Sequence, residues 1–413
     1  MTHIRPALRF AIVLTATLLS GCLNSKGSAG AGGTPAPVPN VLTLNVDSGP
    51  AAAAGAINHA YVTLKICVPG SKTECASIDH VLLDTGSTGL RLVRSVLAAG
   101  AVTLPAMTNA QGQSIEECVS FGGGQTWGPV ALADVSMAGE VAAQLPLQIM
   151  DDTGAGAPPP ATCGAGGTLI NGVSGFGANG VLGVGVLAHD CGTACVGATT
   201  PLPFYYGCAS GGACSAVNVA LADQVANPVA MFASDNNGII VNLPNLINAN
   251  GDSSVQGELI FGIGTQSDNA LPAAGLTVLQ TDGNGDFTAT YNGEAAVLKA
   301  RIDSGTDSFA FNDPAIAVCS AGAFVGYYCP VQSPQSAFAV NTGVVANAGA
   351  STVNFAIADP NTFVPNAAAF ANLARIGRSG YFTWGMPFFY GRKVYVGIDQ
   401  RPAGSYVGPY FAY

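Results

Sequence analysis

Two short stretches of this 413-residue chain carry the same chemistry-bearing arrangement. In the first, Val81-Leu82-Leu83 runs into Asp84-Thr85-Gly86-Ser87, and in the second Ala300-Arg301-Ile302 runs into Asp303-Ser304-Gly305-Thr306. One such run is most often a surface turn, because Asp, Gly and Ser favour turns for conformational reasons. Two copies, one in each half and each fed by an apolar strand, point to a shared site. Two carboxyls within hydrogen-bonding distance cannot both ionise cheaply, so one titrates low and the other keeps its proton. A water between them can then lose a proton to one and attack an amide carbonyl, while the other stabilises the oxyanion. That chemistry requires no metal, cofactor or covalent nucleophile. Gly86 and Gly305 let the two loops turn tightly and approach. Thr85 and Ser304 are placed to tie the loops together, and Ser87 and Thr306 to orient the carboxylates.

Such loops need strands that hold them. The chain resembles the pepsin-like aspartic peptidases, in which each Asp loop is crossed by a later strand ending in two apolar residues and Gly. Gly180-Val181-Leu182-Gly183-Val184-Gly185 matches the first crossing. Trp384-Gly385-Met386-Pro387-Phe388-Phe389, followed by Val394-Tyr395-Val396-Gly397-Ile398, stands where the second belongs. Gly257-Glu258-Leu259-Ile260-Phe261-Gly262 is similar to a strand that family places between its lobes. The likeness covers most of residues 57–399. It implies an all-β, bilobal pepsin-like fold with pseudo-twofold-related lobes and few short helices. Residues 41–226 would form the N-terminal lobe with Asp84 and the flap, and 227–413 the C-terminal lobe with Asp303, the boundary falling near Asn227-Pro228. It further implies a monomeric endopeptidase that acts on a peptide or protein substrate through Asp84 and Asp303, without a cofactor. The alternative is a pepsin-fold binding protein without catalysis. Segments 84–91 and 385–392 also resemble an uncharacterised family of bacterial lipoproteins in the same clan.

The pattern departs from the family at the flap, read here as Ser120-Phe121-Gly122-Gly123-Gly124-Gln125-Thr126-Trp127-Gly128. Phe121 replaces the family's Tyr, and Arg91 stands where its Trp partner belongs. Losing both is coherent, since an orphaned buried indole N–H costs about 1–3 kcal/mol. Support for the flap is then expected from Trp127, or from Arg91 stacked on an aromatic ring. Phe121, Gly122, Gly123 and Trp127 are the flap and substrate-binding candidates. Asp307 matches the last Asp of the retroviral Asp-Thr-Gly-Ala-Asp, which contacts substrate main chain. It is expected either in that role or as an ion-pair partner of Arg301 or Arg91.

Composition narrows the remaining classes. Fourteen Lys plus Arg against 24 Asp plus Glu, a net charge of -10, leave no phosphate-tracking face for nucleic acid. A content of 49% apolar residues excludes a disordered chain. Alternation such as Tyr61-Val62-Thr63-Leu64-Lys65-Ile66 predicts antiparallel strands. Helices are predicted over Ala367–Ile376, with Asn366 as N-cap and Gly377 beyond the end, and near Ala220–Val225. The aromatic tail Tyr406–Tyr413 reads as packing.

Residues 1–22 read as an export signal, with His3, Arg5 and Arg9 before an apolar run too short to span a bilayer. The run ends in Leu19-Ser20-Gly21-Cys22, which resembles a lipobox and implies lipidation at Cys22. Residues 23–40 then form a tether, and Leu23 in place of Asp implies the outer membrane, so the lipid is the expected membrane contact. The ten other cysteines suit disulfides in an exported chain. Cys67 with Cys75 and Cys319 with Cys329 are local pairs, and Cys118 with Cys163 could bracket part of a Gly-, Pro- and Cys-rich insertion at 151–215. Cys191, Cys195, Cys208 and Cys214 are open between two disulfides, the favoured reading, and a zinc cage. Asp282–Asp286 imitates a calcium loop, but Phe287 stands where that loop needs Gly, so it and Asn248–Asp252 read as turns. His59, His80 and His189 fall in no metal or Cys-His spacing, and no metal site is expected.

Overall fold

Apolar alternation through the first half folds as antiparallel pairs. Ala60–Cys67 runs against Cys75–Asp84, and the Cys67–Cys75 disulfide closes their far end. Gly124–Met137 pairs with both Glu140–Met150 and Ala60–Cys67, so the strands of this half curl back on themselves around one apolar interior. The computed structural model describes residues 38–413 except 165–166, 249, 273–274 and 346–348. The export signal, Cys22 and residues 23–37 of the tether lie outside the described residues. No helix among the described residues is long and apolar enough to cross a membrane.

The architecture is all-β and two-lobed, and among the described residues it has a fifteen-stranded, a seven-stranded and a two-stranded sheet. Val41–Val46 leaves its own half to pair antiparallel with Val255–Phe261, from Val41 opposite Ile260 to Val46 opposite Val255. Gly238–Leu243, Arg392–Gly397, Tyr410–Ala412 and Val278–Gln280 continue that sheet. The chain's opening strand is therefore hydrogen-bonded to the half that carries the second Asp. The aromatic tail packs as expected, with Tyr410 and Phe411 fully buried. In the second half Phe309, Phe311, Phe355, Phe382 and Trp384 form a continuous ring cluster, with centroids 4.5–6.0 Å apart between neighbours. The buried Trp384 indole donates to Asn341 Oδ1 at 3.0 Å. A buried indole without that partner would cost about 1–3 kcal/mol.

Neither predicted helix forms as drawn. The Ala367–Ile376 segment is not helical: it turns at Ala371 and Asn372, and Ala374–Ile376 pairs in parallel with Phe309–Phe311. Ala368 and Ala369 N–H groups donate to Asp252 O, Asn58 binds both Phe370 N–H and its carbonyl, and Phe309 N–H reaches Leu373 O. Asn366 lies at φ 62°, not in the extended region an N-cap needs. These partners lie far away in sequence and outcompete the local helical bonds. Near Ala220–Val225 only one 3-10 turn, Leu221–Asp223, forms. Val225 and Ala226 N–H groups are already engaged by Tyr205 Oη and Pro146 O.

All ten cysteines outside the signal pair as Cys67–Cys75, Cys118–Cys163, Cys191–Cys195, Cys208–Cys214 and Cys319–Cys329. The zinc alternative is removed, since no thiolate is left to bind one. The same holds where Asp359 approaches Cys319 and Cys329. Asp282–Asp286 is a turn, in which Asp282 Oδ1 accepts from the Asn284 and Asp286 N–H groups.

Candidate active site

Each Asp loop is crossed by its strand in the same way. Gly180–Val184 runs parallel to Cys75–Asp84, bringing Gly183 opposite Asp84, and antiparallel to Thr88–Val93. Tyr381–Trp384 runs parallel to Val297–Ile302, and Asp303 N–H donates to Trp384 O at 2.9 Å. The loops close alike: Gly185 N–H donates to Ser87 O at 2.8 Å, and Met386 N–H to Thr306 O at 2.7 Å.

The loops are cross-tied by their hydroxyl residues. Thr85 N–H donates to Ser304 Oγ at 3.1 Å, and Ser304 N–H to Thr85 Oγ1 at 3.0 Å. Each hydroxyl then donates across to the strand of the other half, Thr85 Oγ1 to Ile302 O at 2.9 Å and Ser304 Oγ to Leu83 O at 2.7 Å. All four bonds are buried, so deleting one hydroxyl strands its partners. Thr85→Val and Ser304→Ala should each cost about 1–3 kcal/mol in chemical denaturation. Because they share bonds, the double variant should cost clearly less than the sum.

The cross-tie presses the carboxyls together. A Cβ on Gly86 would lie 2.6 Å from Asp303 Oδ1, and one on Gly305 2.7 Å from Asp84 Oδ1. Only glycine leaves each carboxyl room beside the opposite loop. Gly86 N–H donates to Asp84 Oδ1 at 2.8 Å, Gly305 N–H to Asp303 Oδ1 at 3.0 Å, and Thr306 Oγ1 to Asp303 Oδ2 at 2.8 Å. Ser87 stands beside Asp84, where its hydroxyl favours the ionised form, although its Oγ makes no well-angled hydrogen bond. Burial, and next the Asp303 charge, push the Asp84 carboxyl up to about 7. The pair therefore holds a proton through mildly acidic pH.

Asp84 and Asp303 open into a cavity of about 300 Å³. Its first-half wall is apolar, with Leu82, Phe121, Ile170, Phe176 and Val181 beside the flap glycines Gly122 and Gly123. Its second-half wall is polar, with Gly305, Thr306, Asp307 and Arg375, and His59 also reaches it. Trp127, expected at the flap, does not line this cavity. It is buried within the hairpin, opposite Cys118 and against Tyr206, and donates through Nε1 to Ala157 O at 2.6 Å. Asp307 does line it, but its partners are Arg375, Tyr327 and Ser308, and neither Arg301 nor Arg91. Those two arginines are taken by Asp286 and by Glu117 with Asp190.

Arg91 supports the flap from below. Its guanidinium lies 5.6 Å from the Phe121 ring centroid, and Nη1 donates to Thr88 O at 2.8 Å. Nη2 meets Glu117 at 2.7 Å and Asp190 at 3.0 Å, with all three side chains almost wholly buried. Tyr205 Oη completes the group by donating to Asp190 Oδ1 at 2.7 Å. Burial, and then the Glu117 charge, hold the Asp190 carboxyl well above its usual range.

The insertion at 151–215 hems the flap in. Tyr205–Cys208 pairs with Ser114 to Glu117, the first half of Ser114–Phe121, and Cys118–Cys163 staples the same strand next to it. On the other edge, Gln125 N–H donates to Thr168 O and accepts through its carbonyl from Ile170 N–H, both at 2.9 Å. Phe121 packs edge-on against Phe176 at 5.1 Å. The sequence reading missed Glu117, Asp190, Phe176, Ile170 and Arg375. The available hint was Arg91 itself, since a cation in an otherwise apolar strand requires a buried anion.

Two lobes, a carboxyl from each, and a parallel crossing behind each Asp loop define the pepsin-like aspartic peptidase fold. The chain is similar to the aspartic proteinase from Irpex lacteus, at 12% identity, over 91% of this chain and 96% of that one, with a TM-score of 0.52. By sequence it belongs to the family described as Protein of unknown function (DUF3443), whose profile matches residues 36–413. No curated protein matches it.

Proposed function

We propose that this protein is an aspartic endopeptidase held at the bacterial cell envelope by lipid on Cys22, with Asp84 and Asp303 sharing the proton that activates water. The observation that supports this best is the reciprocal fit of each carboxyl against the other loop's glycine, at the floor of a cavity large enough for peptide side chains. Asp84, protonated below about pH 7, would donate to the carbonyl oxygen, and Asp303 would take the water's proton.

The test is cleavage of denatured casein and of a quenched fluorescent peptide library by the full-length protein between pH 3 and pH 9. Cleavage should be strong in acid, fall about tenfold per pH unit above 7, and be blocked by a statine-type inhibitor. A second reading, a binding protein on the same fold, draws support from the flap being fixed along both edges. Peptide binding without any cleavage across the library would favour it.

A further inference from the structure

We infer that the cleft selects substrates bearing a carboxylate, received by Arg375 on the Asp303 side, an inference that rests on the peptide-cleft reading above. Among the described residues lining the cavity Arg375 is the one Lys or Arg, with His59 the other basic side chain, and its own side chain is 41% exposed. Its Nε lies 3.8 Å from Asp307 Oδ1, beyond hydrogen-bonding distance. Asp307 is already served by the Tyr327 hydroxyl and by Ser308 Oγ at 2.8 Å. Burial, and next Asp307 itself, push the Tyr327 phenol up, so it remains a donor. The terminal Nη groups of Arg375 have no hydrogen-bond partner among the described residues. Their planar fork suits a carboxylate bound through both oxygens.

The guanidinium is also presented by a stiff support. Ala374–Ile376 is bonded on one side to Phe309–Phe311, which follows directly on the Asp303 loop. On its other side Tyr327 bridges Arg375, Tyr328 N–H reaches Ala374 O and Ile376 N–H reaches Gly326 O. That second support is the loop closed by Cys319–Cys329. Pre-organisation lowers the ordering cost of binding, which a free surface arginine would have to meet. The opposite wall, with Leu82, Phe176 and Val181, receives an apolar side chain, so the preferred peptide pairs a bulky apolar residue with a carboxylate. The carboxylate can be an Asp or Glu side chain or a free C-terminus.

The experiment compares peptides that share one apolar residue and carry Glu, Gln or Lys at successive flanking positions, each as free acid and as amide, at pH 5.5. At that pH Glu is ionised. Cleavage is read as kcat/KM, and binding of reduced-amide versions is read by calorimetry. The Glu or free-acid peptides should be preferred, and the two arms distinguish side chain from terminus. Arg375→Gln should lower the preference for those peptides over their neutral counterparts, in kcat/KM and in affinity, by about 10- to 100-fold. Arg375→Glu should turn the preference toward Lys, and Arg375→Lys should retain part of the original one. A wild-type protein indifferent to the carboxylate in binding, or a preference that survives Arg375→Gln, overturns the inference. Absence of cleavage with carboxylate-selective binding intact overturns only the endopeptidase reading.

Discussion

Asp84→Asn and Asp303→Asn should each lower the turnover of peptide cleavage by about 10²–10⁴-fold, with the double variant no worse than the more severe single one. The two carboxyls act as one acid–base unit, so removing either already removes the shared proton's function. Steady-state kinetics at pH 5 on a peptide cleaved by the wild type measures this. The same substitution has a stability signature. Asp84 is raised to about 7 in the folded state, so its protonation favours folding. That contribution is complete below the unfolded carboxylate pKa of about 3.9 and is lost as pH rises through about 7. Asp84→Asn should therefore gain in melting temperature relative to wild type at pH 8, and much less at pH 4. Equal inactivity without this pH-dependent gain would mean that the substitution disturbed the loop, not the charge.

Arg91→Met should be the most destabilising single change outside the core aromatics, by about 3–5 kcal/mol at pH 8. It removes the cation that serves two buried carboxylates, Glu117 and Asp190, and the group packed under Phe121. Removing both acids together with Arg91 would be far milder, because apolar replacement of a whole buried ion group is often neutral. The sign with pH is fixed by Asp190, already raised by burial and by Glu117. Without Arg91 the buried Asp190 loses the cation that favours its charged form and is raised further, so the deficit should shrink as pH falls. Urea denaturation at pH 4, 6 and 8 measures it. A deficit that does not change with pH would place the loss in packing alone.

How much of this was legible in the sequence depends on how local each signal is. The two Asp loops, their glycines and hydroxyls, and the crossings at 180–185 and 384–389 are runs of adjacent residues, and the structure assembles them as one floor. The all-β, two-lobed character is what the family resemblance carried by those runs implies, and the structure has it. Helix Ala367–Ile376 was misread because its alanines satisfy Asp252 and Asn58, which are distant in the chain. Arg91 is a visible departure, but its acids lie 26 and 99 positions away, one on Ser114–Phe121 and one in the loop after Gly180–Val184, and the sequence does not display their meeting. Arg375 was invisible for the same reason, since only the parallel pairing of Ala374–Ile376 with Phe309–Phe311 carries it into the cleft. Trp127, a flap and substrate-binding candidate with Phe121, stays out of the cleft because strand alternation sends the two side chains to different surroundings.

The hemmed flap bears finally on time. A hairpin with both edges free can swing like a paddle within nanoseconds to microseconds. Here the outer strand cannot move without shedding Tyr205–Cys208 or straining the Cys118–Cys163 link, and the inner one cannot move without freeing Thr168 and Ile170. Each such bond is worth about 0.5–1.5 kcal/mol net, so breaking several at once slows opening by orders of magnitude. On the proposed peptidase reading, the pace of such a cleft would be set by how often the doorway yields, and a peptide it received would leave slowly.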